Sequence, residues 1–169
     1  MLTYFAYGSN MYTPRLRERV PGCQALGTAH LPGYQLRFQK RSKKDGSAKA
    51  NAFHTGGPHD AVIGVLFSIP ESELRALDLA EGNRYGYERC TVSVLQPDGA
   101  SVLAITYLAT ADAIDDGLVP LDWYTEFVAL GAREHGLPLD YVAMYIEAVD
   151  SLPDPDTERA DAERRKLRF

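Results

Sequence analysis

Apolar and polar positions alternate in short runs through the first two thirds of the chain, and glycine or proline closes most of them. Residues 2–7 form an aromatic run cut off by Gly8-Ser9-Asn10, which predicts a strand feeding a loop. Thr13-Pro14 has the form of an N-cap followed by proline at the first helical position. A short polar helix is therefore expected over residues 15–19, ending at Pro21-Gly22. Residues 24–30, 34–39 and 51–54 predict strands, and the apolar run 61–69 predicts a buried one.

Pro70 and the acidic residues Glu71 and Glu73 suit the first turn of a helix that carries Leu74 and Leu77 on one face. That helix runs to about Ala80 and stops near Glu81-Gly82, glycine being favoured just past a helix end. Residues 88–95 and 102–108 flank Pro97-Asp98-Gly99, a hairpin signal. An acidic loop is expected over 112–122, with helices over 121–131 and 140–149. Such clustered strands with few interspersed helices imply an α+β fold built on a mixed, largely antiparallel sheet.

Composition narrows the picture. The 169 residues are 45% hydrophobic and 24% charged, ordinary for one globular domain, expected over 1–152 with a polar tail over 153–169, mobile or a solvated helix. Eighteen basic against 23 acidic residues give a net charge of −5, which opposes nucleic-acid or anionic-membrane binding. Residues 40–49 hold five basic residues and one acidic one, and without interleaved aromatics they read as a solvated loop. The start of the chain has neither a basic segment nor a long apolar one, and the run 61–69 is half a membrane span. A cytoplasmic protein with reduced thiols is expected.

The usual cofactor and nucleophile signatures are absent from the sequence. There is no phosphate-binding GxxxxGK[ST] and no GxSxG elbow around Ser9. His30, His54, His59 and His135 lack metal-ligand spacing, and Cys23 and Cys90 are too few for a structural zinc site. Cys23, after Pro-Gly, reads as a loop residue and Cys90, within a strand, as core. No metal and no cofactor are expected, so chemistry falls to carboxylates, tyrosines and backbone amides.

One constellation is distinctive. Tyr4-Phe5-Ala6-Tyr7-Gly8-Ser9-Asn10-Met11 resembles the signature of the γ-glutamylcyclotransferase family. The strand Val62-Ile63-Gly64-Val65-Leu66, the helix end Leu77-Asp78-Leu79-Ala80-Glu81-Gly82, the pair Tyr107-Leu108 and the segment 131–141 follow in the family's order. The resemblance spans roughly residues 2–150 and implies a barrel-like sheet flanked by a few helices.

It also implies chemistry. In that family the α-amine of a γ-glutamyl compound attacks its own side-chain carbonyl, giving 5-oxoproline and a free amine. Because nucleophile and electrophile share a molecule, no metal, nucleotide or covalent enzyme intermediate is needed. The resemblance makes Glu81 the general acid/base; an exposed helix-end glutamate is the bland alternative. Tyr4, Phe5, Ala6, Tyr7, Gly8, Ser9 and Asn10 become contacts of a small γ-glutamyl substrate, with Tyr87, Tyr107 and Tyr124 as further lining. Tyr124 reads equally as helix packing. Asp78 and Arg84 read as solvated, although Arg84 is also weighed as a carboxylate contact for the leaving group. Three readings stay open: a cyclotransferase for γ-glutamyl amino acids, one for another γ-glutamyl amide including a carrier-bound intermediate, and a non-catalytic γ-glutamyl-binding module. The basic stretch 37–49 would suit an acidic carrier, and the larger family members make a homodimer reasonable.

Overall fold

Seven strands, β1 (Leu2–Ala6), β2 (Gln24–Pro32), β3 (Tyr34–Arg41), β4 (Ala48–His54), β5 (Ala61–Ile69), β6 (Tyr87–Leu95) and β7 (Ser101–Ala109), are seen in a computed structural model that describes residues 1–167. Five of them close into a barrel in the order β1-β5-β2-β6-β7. Every pairing in it is antiparallel except β1 with β7, where Tyr4 lies opposite Ile105. The mixed, largely antiparallel sheet expected from the pattern is thus present, and closure removes its free edges.

β5 runs between β1 and β2 and is buried continuously from Val62 to Phe67. One face turns into the barrel, and the other lies under the segment after the long helix: the Phe67 ring meets His135 edge-on, and the Ile63 N–H donates to the Tyr141 hydroxyl at 3.1 Å. Burial on both faces explains why this strand reads as an unbroken apolar run rather than an alternating one.

β3 and β4 form a separate hairpin that folds over one side of the barrel. The Asn51 carboxamide oxygen accepts from the Ala109 N–H at 2.9 Å, and the Tyr87 hydroxyl donates to the Ala50 carbonyl. The stretch 40–49 is therefore not a solvated loop. Pairing continues through Arg41 and resumes at Ala48, the turn lies between, and Lys40 is buried. Long lysine stems can cover apolar surface while the ammonium looks outward, so charge alone is a poor sign of a loop.

The helices are α1 (Thr13–Arg17), α2 (Leu74–Glu81), α3 (Asp122–Glu134), α4 (Leu139–Val142) and α5 (Thr157–Arg165). Thr13 is not the cap of α1: it lies inside the helix, and its N–H donates to the Glu134 carboxylate of α3 at 2.9 Å. The helix expected over 140–149 is α-helical only to Val142 and continues as a π-helical turn over Ala143–Glu147. α3 packs directly on the loop leaving β1. A Cβ on Gly131 would lie 2.4 Å from the Tyr12 nitrogen, so only glycine lets the two backbones approach this closely.

Cys23 lies in the loop before β2, as expected, whereas the expectation that Cys90 is core is reversed. Cys23 is buried in the core and Cys90 is partly exposed on β6. Loop backbone does not imply exposure, and β6 has one face toward solvent. The polar tail contains a helix, α5, but not one solvated all round. Ala160 is buried, Arg159 grips the buried Asp154, and Glu163 pairs with Arg15 at 2.8 Å. Among the described residues no helix is long and apolar enough to cross a membrane.

Candidate active site

β1 ends at Ala6, and the chain then bends through Tyr7 and Gly8 into a single 3-10 turn, Ser9–Met11, whose residues are all buried. α2 ends at Glu81 because Gly82 adopts the left-handed conformation (φ 69°), in which its N–H can close onto the last turn. These two chain ends meet. The Asn10 Nδ2 group donates to Glu81 Oε1 and, at 3.2 Å, to the Tyr4 hydroxyl oxygen. The Tyr4 hydroxyl in turn hydrogen-bonds the Glu81 carboxylate. Arg19 donates to Asn10 Oδ1 at 2.7 Å, which fixes which end of the carboxamide faces Glu81. The same Arg19 nitrogen stands 3.7 Å from Glu81 Oε1.

The Glu81 side chain retains 17% of its exposure and borders both a small tyrosine-lined cleft and a wider hollow beside it. Desolvation pushes its carboxyl above the ordinary glutamate range, and Arg19, Arg15 and Lys40, with the Tyr4 hydrogen bond, hold that rise in check. The group is therefore a stronger base than a surface glutamate, with cations close enough to keep it ionisable.

Tyrosines make most of the remaining wall. The Tyr7 hydroxyl donates to the Tyr107 carbonyl, and the Tyr107 hydroxyl to Asp78 Oδ1 at 2.8 Å. Asp78 is not merely solvated, since its other oxygen also takes Arg89 at 2.6 Å. The Ala50 N–H donates to the Tyr124 hydroxyl at 3.0 Å, while the Ala50 carbonyl accepts from Tyr87. One hairpin residue thus ties two cleft tyrosines in place. Burial pushes all of them upward, Tyr124 to about 12, so they stay protonated and act as neutral donors and walls.

Of the residues expected at the site, Tyr4, Tyr7, Gly8, Ser9, Asn10, Glu81, Tyr87, Tyr107 and Tyr124 all line this cleft. Phe5 and Ala6 do not. Phe5 alternates into the core, where its ring packs near Tyr7, and it reaches the cleft wall only through its carbonyl, which accepts from Thr106 at 2.8 Å. Successive strand side chains point to opposite faces, so Phe5 turns away from the face that Tyr4 presents. Arg84, exposed and at φ 69°, lines no part of the cleft. Ala50 and Thr106 do line it, and no sequence signal marks either: both are small residues in strands. Among the described residues no cluster of three or more His, Cys, Asp or Glu could hold a metal ion.

The AIG2-like family matches over residues 61–144. A γ-glutamylcyclotransferase from Homo sapiens is 33% identical over 145 residues, covering 82% of this chain and 73% of that protein. The Bos taurus protein of the same name is 32% identical over the same shares. The chain belongs to the γ-glutamylcyclotransferase family. A solved structure of a γ-glutamyl cyclotransferase superposes with a TM-score of 0.84 at 28% identity, covering 97% of this chain and 98% of its own. Family membership therefore extends from the barrel to the C-terminal helices. As in any fold, the chemistry still has to be argued from the site.

Proposed function

We propose that the chain is a cofactor-independent γ-glutamylcyclotransferase that acts on a small γ-glutamyl amide and releases 5-oxoproline and the free amine. The observation that carries this is Glu81: a carboxylate with raised proton affinity, held by Asn10 and Tyr4 on the wall of a tyrosine-lined cleft. Gly8, Ser9 and Asn10 bring the backbone of a sharp turn to the same cleft, and the first N–H groups of a helical turn have no partner inside it.

In this reading the glutamyl half occupies the cleft with its α-amine beside Glu81. The ammonium transfers a proton to the carboxylate, and the freed lone pair attacks the γ-carbonyl to close a five-membered ring. The tetrahedral oxyanion is stabilised by the Gly8–Asn10 backbone N–H groups. When the carbon–nitrogen bond to the leaving group breaks, the protonated Glu81 gives its proton to the departing nitrogen. The second surplus proton of the ring nitrogen passes by way of the same carboxylate to that amine, which leaves as an ammonium, so the enzyme ends as it began. Atoms balance without water or an acyl-enzyme. Holding the two reacting ends of one molecule in a cleft supplies most of the advantage, and one carboxylate serving both nitrogens adds about 10²–10⁴ in rate.

The deciding experiment is Glu81→Gln with 5-oxoproline measured on a panel of γ-glutamyl dipeptides. Gln keeps the shape and loses the proton shuttle, so turnover should fall by about 10²–10⁴ with the circular dichroism spectrum unchanged. Turnover within a few-fold of the parent would remove Glu81 from the mechanism.

A further inference from the structure

Beside the cleft lies a second, wider hollow, and the two share Ser9, Glu81, Tyr87 and Tyr124 as a common wall. Its lining is unlike the rest of this acidic chain: eight lysines and arginines against four carboxylates. Most of these cations already have partners. Arg15 and Lys166 pair with Glu163 at 2.8 and 2.9 Å, Lys49 with Asp45 at 3.1 Å, and Arg159 with Asp154. Arg19 serves Asn10 and Glu81.

Lys40, Lys43 and Lys44 are different. Among the described residues none of the three has a carboxylate at ion-pair distance. Lys40 stands over the Tyr87 ring at 4.5 Å and Lys43 over Tyr85 at 5.1 Å. Lys43 and Lys44 sit on the exposed hairpin turn, but Lys40 is only 6% exposed. Glu81 and Asp45 act on Lys40 only from beyond ion-pair distance, so they and the ring face offset only part of the hydration that its largely buried ammonium loses. The arrangement makes sense if an anion completes it.

We infer that the hollow around Lys40, Lys43 and Lys44 is the leaving-group subsite, and that it selects γ-glutamyl amides whose amine half carries two negative charges, as in an acidic amino acid. This rests on the cyclotransferase reading. With the glutamyl half in the smaller, tyrosine-lined cleft and the scissile nitrogen at Glu81, the amine half leaves across the shared wall into the hollow. A carboxylate beyond the one common to all amino acids then meets the unpaired lysines.

The test compares matched pairs that differ by one charge: γ-glutamyl-aspartate against γ-glutamyl-asparagine, and γ-glutamyl-glutamate against γ-glutamyl-glutamine. At low ionic strength the acidic member should have a kcat/KM at least about tenfold higher, and the ratio should shrink as salt screens the exposed lysines. Lys40→Met should collapse the ratio toward one. The surface pair Lys43→Gln/Lys44→Gln should lower it by about threefold, and gives an independent readout if Lys40→Met fails to fold. Equal kcat/KM within each pair, or a ratio that survives both variants, overturns the inference while leaving the cyclotransferase reading intact. Preference for a γ-glutamylated acidic protein over all four dipeptides also overturns it, because the occupant would then be a macromolecule. No 5-oxoproline from any of these substrates would instead overturn the parent reading.

Discussion

Glu81 shows how a single residue's environment sets its chemistry. Its carboxyl is raised above the unfolded value near 4.3, so the native state binds its proton more tightly than the unfolded chain does. The sign follows: below the unfolded pKa both states are neutral and nothing is lost, whereas above the folded pKa ionisation costs native stability. Glu81→Gln should therefore unfold at an equal or higher temperature than the parent at pH 7, with any gain vanishing near pH 4; thermal melts at both pH values read this directly. Activity needs the ionised form before attack, so the acid limb of kcat/KM should lie above the ordinary glutamate range. Arg19 lowers the proton affinity of Glu81 and orients Asn10. Arg19→Met should shift that limb to still higher pH, while an unmoved limb would show that Arg19 matters only for packing.

At the level of elements, the site depends on how tightly α3 presses on the β1 exit. The approach of Gly131 to Met11 and Tyr12 leaves no room for a methyl group, with contacts of 2.4 to 2.7 Å to a built Cβ, two of them backbone. Gly131→Ala must push α3 away from the turn that carries Ser9 and Asn10. We expect a loss of about 1–3 kcal/mol, typical of overpacking, and a fall in kcat larger than the change in KM. Chemical denaturation with the steady-state assay would separate the two effects. Such a contact was not visible in the chain's pattern. Gly131 there looked like the end of a helix, yet α3 runs on through Glu134 with the glycine on its buried face. Gly82, by contrast, was legible, because a helix stop is a local property of the backbone.

For the molecule as a whole, the C-terminal arm acts as a clasp over α3. The Asp154 carboxylate accepts from Trp123 Nε1 at 2.8 Å and from Arg159 Nε at 2.7 Å, and these bonds hold it down to about 2. A lowered carboxylate contributes stability that is complete above its unfolded pKa and is lost as pH falls through the folded value. Asp154→Asn should cost about 1–3 kcal/mol at neutral pH, as expected for hydrogen bonds to a buried charge. The gap to the parent should close between about pH 4 and pH 2 in urea titrations. Because α5 also reaches Arg15 through Glu163, and Arg15 donates to Ser9 at 3.2 Å, the same arm supports the far side of the site. Nothing in the alternating charges of residues 153–167 announced that role.

The chain by itself determined what is local. Strand and helix segments, the glycine that ends α2, the turn after β1 and the lack of metal spacing are properties of a few consecutive residues, set by backbone freedom and side-chain period. The order of the motifs was enough to nominate Glu81 and the Tyr7–Asn10 bend. Only the tertiary structure decided which of those residues share a cavity. Folding of the helices and the hairpin onto the closed barrel brings Tyr4, residues 7–10, Glu81, Tyr87, residues 106–107 and Tyr124 together and leaves Phe5 facing away. It also turned Lys40 from an apparent loop residue into a buried cation beside the site, and placed Ala50 between two tyrosines. The reason is physical: burial, charge pairing and proton affinity depend on neighbours far away in sequence, and no short stretch of chain contains them.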